Sequence, residues 1–206
     1  MASASPPNPD TTSPDTATNS HPWGVALLWL LPVLVVVLIL AYGVLTRTSD
    51  EKASNLPQVG QPLADFALTD LQGNMVQLSA LRGNVVFINV WATWCQPCID
   101  EMPTIEHLYN QLHARGLEVL TISLDPLGAQ VIKPFMRRYR LTFPVLLDVK
   151  SQVERLYGTT GVPESFIVDK QGRLVEKVVG PRNWSSPQVL AMFERLMAMP
   201  GPQSQG

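Results

Sequence analysis

A chain of 206 residues with 46% apolar and 16% charged residues has the composition of a folded domain with an apolar segment attached. Its net charge of −2 gives no footing for a nucleic-acid or heparin partner. The densest cationic group, Arg137, Arg138 and Arg140, reads as a solvated helix face.

Residues 1–22 form a tail rich in Pro, Ser, Thr, Asn and Asp, and no aromatic residue occurs from Met1 to Ser20. Such a stretch cannot bury enough surface to offset its ordering entropy and is expected to be disordered. Pro22 to Thr46 then carry no formal charge and are dominated by Leu and Val. At ~1.5 Å per residue a helix of this length crosses the ~30 Å hydrocarbon layer with some tilt. Trp23, Trp29 and Tyr42 lie near its ends, where amphipathic rings favour the interface, and Pro32 is tolerable as a kink. Residues 23–46 are therefore expected to be a transmembrane anchor. A cleaved signal peptide is the rival, with Ala41-Tyr42-Gly43 as its small-x-small site. Against it, the apolar run exceeds the usual ~7–15 residues and no cationic stretch precedes it. Arg47 and Lys52 follow the span while the tail has no Lys or Arg, so charge alone mildly favours a cytoplasmic domain. Residues 47–58 read as a polar linker, 59–199 as the folded domain and 200–206 as a C-terminal tail.

Within the domain, Ala64 to Thr69 and Met75 to Gln77 are expected to be strands around the turn Leu71-Gln72-Gly73-Asn74. Asn84 to Val90 contains the run Val85-Val86-Phe87-Ile88, which suits a strand covered on both faces. A helix follows from close to Cys95 to about Arg115, with Ile105, Leu108, Tyr109 and Leu112 at helical spacing and Gly116 as its stop. A strand over Leu117–Leu124, a helix over Gln130–Tyr139, an extended Pro144–Leu147 and a helical turn at Val153–Tyr157 come next. Strands Ser165–Asp169 and Leu174–Val179 flank the hairpin signal Lys170-Gln171-Gly172. A last helix runs from Ser186 to Met199, with Ser185 or Ser186 as cap and Pro187 at its first position. Two βα units, a β-hairpin and a final helix make a three-layer α/β sandwich with a mixed sheet.

The chemistry falls where a buried strand gives way to a helix. Cys95 and Cys98 are the only cysteines, and closing so short a loop constrains the unfolded chain little, so a redox or metal role is favoured over a structural one. The first helical turn has unpaired N–H groups and a partial positive charge, which stabilise a thiolate at Cys95. Cys98 lies one turn on, on the same face, where the sulfurs can close a disulfide. Pro97 sits where a missing N–H costs little, and with Gln96 it shapes the loop. The expected reaction is thiol–disulfide exchange, with attack by Cys95 and resolution by Cys98, and it needs no metal or organic cofactor. A zinc site fails on ligand number, because only His21, His107 and His113 supplement the pair. Downstream, the X-Pro bond in Gly161-Val162-Pro163-Glu164-Ser165 is open to a cis or an ordinary turn reading.

The stretch Asn89-Val90-Trp91-Ala92-Thr93-Trp94-Cys95-Gln96-Pro97-Cys98-Ile99-Asp100-Glu101-Met102-Pro103 resembles the active-site segment of the TlpA/ResA/CcmG group of membrane-anchored thioredoxin-like proteins. The resemblance runs from about Val59 to Met199, through Gly161-Val162-Pro163-Glu164-Ser165-Phe166-Ile167-Val168-Asp169 and Gly180-Pro181-Arg182-Asn183-Trp184. It implies a thioredoxin-like fold in which Pro163 is cis beside the dithiol and Val162 offers backbone groups to an extended substrate. Trp94 then shields the sulfurs and contacts substrate, while Trp91 belongs to the core. Asn89 stands where thioredoxin has a buried Asp, so that proton relay is absent. Glu101 matches a glutamate that moves protons to and from the second cysteine, with an ordinary first-turn carboxylate as its plain alternative. Glu164 resembles the CcmG pattern. The resemblance further implies a single-pass protein of the cytoplasmic membrane with a periplasmic domain, against the weak charge bias. Its implied partners are disulfide-containing exported proteins, apocytochrome c in cytochrome c maturation among them, and a membrane electron donor of the CcdA/DsbD type. An oxidase or isomerase, a peroxidase, and a non-catalytic tethered peptide-binding module are the alternatives.

Overall fold

The computed structural model describes residues 32–43 and 56–201. The chain divides into two units, Met1–Glu51 and Lys52–Gly206. In the first, residues 32–43 are helical (α1), and the side chains from Val33 to Leu40 are exposed. The expected tail 1–22 and most of the expected span 23–46 lie outside the described residues, as do 47–55 and 202–206. Among the described residues no helix is long and apolar enough to cross a membrane.

Among the described residues the second unit is built on seven strands: β1 (Ala67–Asp70), β2 (Met75–Gln77), β3 (Val85–Trp91), β4 (Leu117–Ser123), β5 (Val145–Leu147), β6 (Glu164–Val168) and β7 (Leu174–Val179). They form one sheet in the order β2-β1-β5-β4-β3-β6-β7. The β3–β4 and β4–β5 pairs are parallel; the remaining pairs are antiparallel, which makes the sheet mixed. The helices are α2 (Gln96–Leu112), α3 (Ala129–Tyr139), α4 (Gln152–Tyr157) and α5 (Pro187–Ala198).

Central strand β3 is buried along its whole length, as its unbroken apolar run requires. Successive side chains leave a strand on opposite faces. Val85, Phe87 and Trp91 therefore meet Met102, Ile105, Leu108 and Leu112 of α2, Ile132 and Phe135 of α3, and Phe193 of α5. Val86, Ile88 and Val90 meet Phe66, Leu68, Val153, Tyr157 and Phe166 on the other face. Each such fully buried side chain contributes about 1.5–3 kcal/mol. Asn89 has the parity of Phe87 and Trp91, so this polar residue is carried into the α2 face with no solvent exposure.

The expected strand over Ala64–Thr69 begins only at Ala67. The residues before it are engaged elsewhere: Tyr157 Oη donates to the Ala64 carbonyl (2.8 Å), and Asp65 accepts from Ser79 N (2.8 Å) and Gln77 Nε2 (2.6 Å). Asp65 thereby secures a 3-10 turn over Leu78–Leu81 that local sequence did not announce. Helix α2 also ends earlier than expected, at Leu112, and tightens to a 3-10 turn over His113–Arg115. Gly116, at φ 101°, closes that turn in the left-handed region. At α5 the cap is Ser186, whose side chain accepts from Val189 N, with Pro187 first in the helix.

One register positions the active end. Because β6 runs antiparallel to β3 with Val90 opposite Glu164, the segment entering β6 lands beside the segment leaving β3. Val162 and Pro163 are thus delivered to Cys95 from far along the chain.

Candidate active site

Cys95 is the N-cap of α2, with an extended backbone (φ −91°, ψ 103°). Its Sγ accepts the N–H of Cys98 at 3.2 Å, so an unpaired amide of the first turn points at the sulfur. That bond and the helix dipole favour negative charge on Sγ and lower the thiol's proton affinity when the pair is reduced. Cys95 and Cys98 are joined here as a disulfide with Cα atoms 5.3 Å apart, so the described state is the oxidised one. Cys95 keeps 6% exposure and Cys98 none, which leaves the first sulfur as the one open to a partner. Gln96 and Pro97 are exposed, with Pro97 in the first helical turn and Gln96 Nε2 donating to Asp100 Oδ1 (2.8 Å). Trp94 is 68% exposed beside the pair, whereas Trp91 is buried against Phe135.

The strand-to-helix turn is braced by a residue that sequence reading passed over. Buried Asp125 accepts from Thr93 N (2.9 Å), Thr93 Oγ1 (2.6 Å) and Ser123 Oγ (2.8 Å). These bonds tie the turn before Cys95 to the end of β4.

From the opposite side, the Val162-Pro163 bond is cis and the Val162 carbonyl lies 3.5 Å from Cys95 Sγ. Pro163 O accepts from Gly180 N (2.9 Å), and Val162 N–H has no partner among the described residues. Glu164 is fully buried below this loop. Its Oε1 accepts from Thr160 N and Thr160 Oγ1, each 3.1 Å, and Lys177 Nζ lies 3.1 Å from its Oε2. The loop that faces the dithiol is thus pinned to β7 through one carboxylate.

Glu101, one turn beyond Cys98, points inward and is 3% exposed. Its Oε1 accepts from Asn89 Nδ2 (2.8 Å); its Oε2 accepts from Arg182 N and Trp184 Nε1, both 3.1 Å. Burial raises its pKa above the ordinary carboxylate range, and the bonds from Arg182, Asn89 and Trp184 only partly offset that rise. Asn89 Nδ2 also donates to Ser165 Oγ (3.0 Å), while Asn89 Oδ1 is buried with no partner among the described residues. Asn89 therefore does not merely mark a missing acid; it is coupled to Glu101. Arg182 and Trp184 come from the segment 180–184, whose resemblance was visible but whose contact with Glu101 was not. The guanidinium of Arg182 is turned away to Glu176 (2.8 Å).

The AhpC/TSA family model matches residues 59–177. The chain is 38% identical over 123 residues to thiol-disulfide oxidoreductase ResA of Bacillus thuringiensis (strain Al Hakam), covering 60% of this chain and 70% of that protein. With ResA of Bacillus subtilis (strain 168) the identity is 30% over 153 residues, 74% of this chain and 85% of the relative. A crystal structure of a putative thiol:disulfide interchange protein DsbE from Chlorobium tepidum superposes with a TM-score of 0.59 at 32% identity, covering 68% of this chain and 96% of that one.

Proposed function

The chain belongs to the AhpC/TSA family, among its ResA-type members with a thioredoxin-like fold, and from that premise we propose that it is a membrane-tethered thiol-disulfide oxidoreductase that reduces disulfides in exported proteins. The observation that carries the exchange reaction is Cys95 Sγ, held by the Cys98 N–H and set 3.5 Å from the Val162 carbonyl. In the reduced protein the Cys95 thiolate attacks one sulfur of a substrate disulfide. A Cys95–substrate disulfide forms, and the displaced substrate sulfur leaves as a thiolate and takes up a proton. Cys98 then loses its proton and attacks Cys95 Sγ, releasing the second substrate thiolate and restoring the Cys95–Cys98 disulfide. Two electrons pass from the dithiol to the substrate, and a membrane dithiol donor of the CcdA/DsbD type returns them.

Glu101 receives the proton leaving Cys98, a task suited by a carboxyl group whose pKa is raised by burial. Val162 pairs its free N–H with an extended substrate segment, Pro163 holds that edge in place, and Trp94 covers the mixed disulfide. Apocytochrome c is the leading substrate, on the resemblance of the motif and its downstream loop. What supports the tether is the uncharged run Pro22–Thr46, of which residues 32–43 are helical with exposed Val and Leu side chains. The same resemblance supports a periplasmic domain.

Trapping tests the whole reading. The full chain carrying Cys98→Ala accumulates mixed disulfides at Cys95 in native membranes, and the captured proteins identify the pathway. If none forms, the exchange mechanism fails. A reduction potential of about −250 mV or below is expected for a reductant, and one near about −120 mV would assign an oxidase instead.

A further inference from the structure

Beside the dithiol lies a groove of about 400 Å³. Trp94, Leu124 and Val162 give it apolar walls, Ser151 and Thr159 bring hydroxyls, and Glu154 is its one charged lining residue. The groove adjoins the reacting sulfur, since Val162 both lines it and places its carbonyl 3.5 Å from Cys95 Sγ. The other carboxylates near this end are already committed. Asp148 accepts the N–H groups of Gln152, Val153 and Glu154, and Glu164 holds Thr160 and Lys177. Glu154 differs: among the described residues its carboxylate makes no ion pair and accepts no hydrogen bond.

We propose that Glu154 is a specificity-determining residue that selects substrates bearing Arg or Lys directly beside the reactive cysteine, one extended step of ~3.3 Å away on either side. The inference rests on the exchange function proposed above. An Arg or Lys side chain lays its aliphatic stem and cationic head along the exposed Trp94 ring. The head then meets the Glu154 carboxylate, which has no partner among the described residues. An acidic side chain in the same place faces Glu154 with like charge, and an alanine leaves Glu154 as it is.

The test uses the reduced full-length chain in mild detergent and three disulfide peptides that differ only beside the reactive cysteine, as Arg, Ala or Glu. Each kcat/KM is divided by the rate of dithiothreitol on the same peptide, which removes the effect of charge on the leaving thiol. The normalised Arg:Ala ratio is expected to be about fivefold for the wild type, the size of a half-exposed ion pair with a cation–π contact. Glu154→Gln should bring that ratio to about one, and Glu154→Lys should favour the Glu peptide, a reversal that misfolding cannot produce. A ratio that persists in Glu154→Gln, or a failure of Glu154→Lys to reverse it, overturns the assignment. Hydroxyethyl disulfide, which is uncharged and small, separates the two levels of the argument. If the wild type reduces it and all peptides without preference, only the role of Glu154 falls; if it reduces none of them, the exchange function falls too.

Discussion

Replacing Glu101 by Gln tests whether the buried carboxyl group holds a proton that the active site uses. The native carboxyl sits among three donors, Asn89 Nδ2, Arg182 N and Trp184 Nε1, and burial still raises its pKa. In the unfolded chain the same group titrates near ~4.3. Between that value and the raised native one, the folded protein binds a proton that the unfolded chain has released. Stability is therefore fully present below the unfolded pKa and falls as pH rises through the native pKa, with a slope no steeper than about 1.4 kcal/mol per pH unit. Gln cannot titrate, so the wild-type-minus-variant difference isolates this loss. Asp65 works in the opposite sense: its partial burial raises its pKa, but bonds from Gln77 and Ser79 outweigh that and hold it low, and it cancels in the difference. Gln keeps an oxygen for Arg182 and Trp184, and its amide can meet an Asn89 turned to present its now unpartnered Oδ1. The cost at low pH is thus about 1 kcal/mol, against about 1–3 kcal/mol for each of the three donors that Glu101→Ala strands. Urea unfolding of the oxidised proteins, followed by circular dichroism from about pH 4 to about pH 9, measures both. Exchange by Glu101→Gln should also slow by about 100-fold, at the low end of general acid–base catalysis. If the variant keeps the wild-type pH slope, Glu101 does not hold the proton and its assignment as proton acceptor for Cys98 is refuted.

Trp184→Phe removes one donor from Glu101 Oε2 while keeping a ring against Phe87, whose centroid lies 4.5 Å away. The Glu101 pKa should rise further, moving the fall in stability to higher pH; a move to lower pH would contradict the hydrogen-bond account. Lys177→Met leaves the fully buried Glu164 carboxylate without its cation and should cost about 3 kcal/mol, read as a lower Tm by calorimetry. Adding Glu164→Gln to it should recover most of the loss, because no buried charge is then stranded. With hydrogen peroxide and dithiothreitol, the protein should consume peroxide no faster than buffer, and sustained turnover would favour a peroxidase instead.

Much of the fold could be read locally because its signals are local. Val85 to Ile88 form an apolar run that only a strand covered on both faces accommodates, and Gly172 and Gly116 punctuate the chain where positive φ is required. Ser186 followed by Pro187 marks a helix start by capping chemistry alone. The misplaced start of β1 shows the limit. Ala64 to Phe66 have strand-like composition, yet the Ala64 carbonyl and the Asp65 side chain are taken by Tyr157 and Ser79, partners that no local window contains.

The same division runs through the site. Two cysteines three positions apart, where a buried strand yields to a helix, already entail a thiolate at the helix end and a second sulfur within its reach. Those are consequences of helix geometry and unpaired first-turn amides, so sequence alone determined them. What surrounds the sulfurs was decided only by the tertiary structure. The Val90–Glu164 register brings the Val162 carbonyl to Cys95, and β3 parity turns Asn89 toward Glu101. Asp125 and the Arg182–Trp184 segment complete the site from other elements. Buried polar groups must find partners wherever the fold places them, and that choice is made by strand pairing and packing across the whole domain.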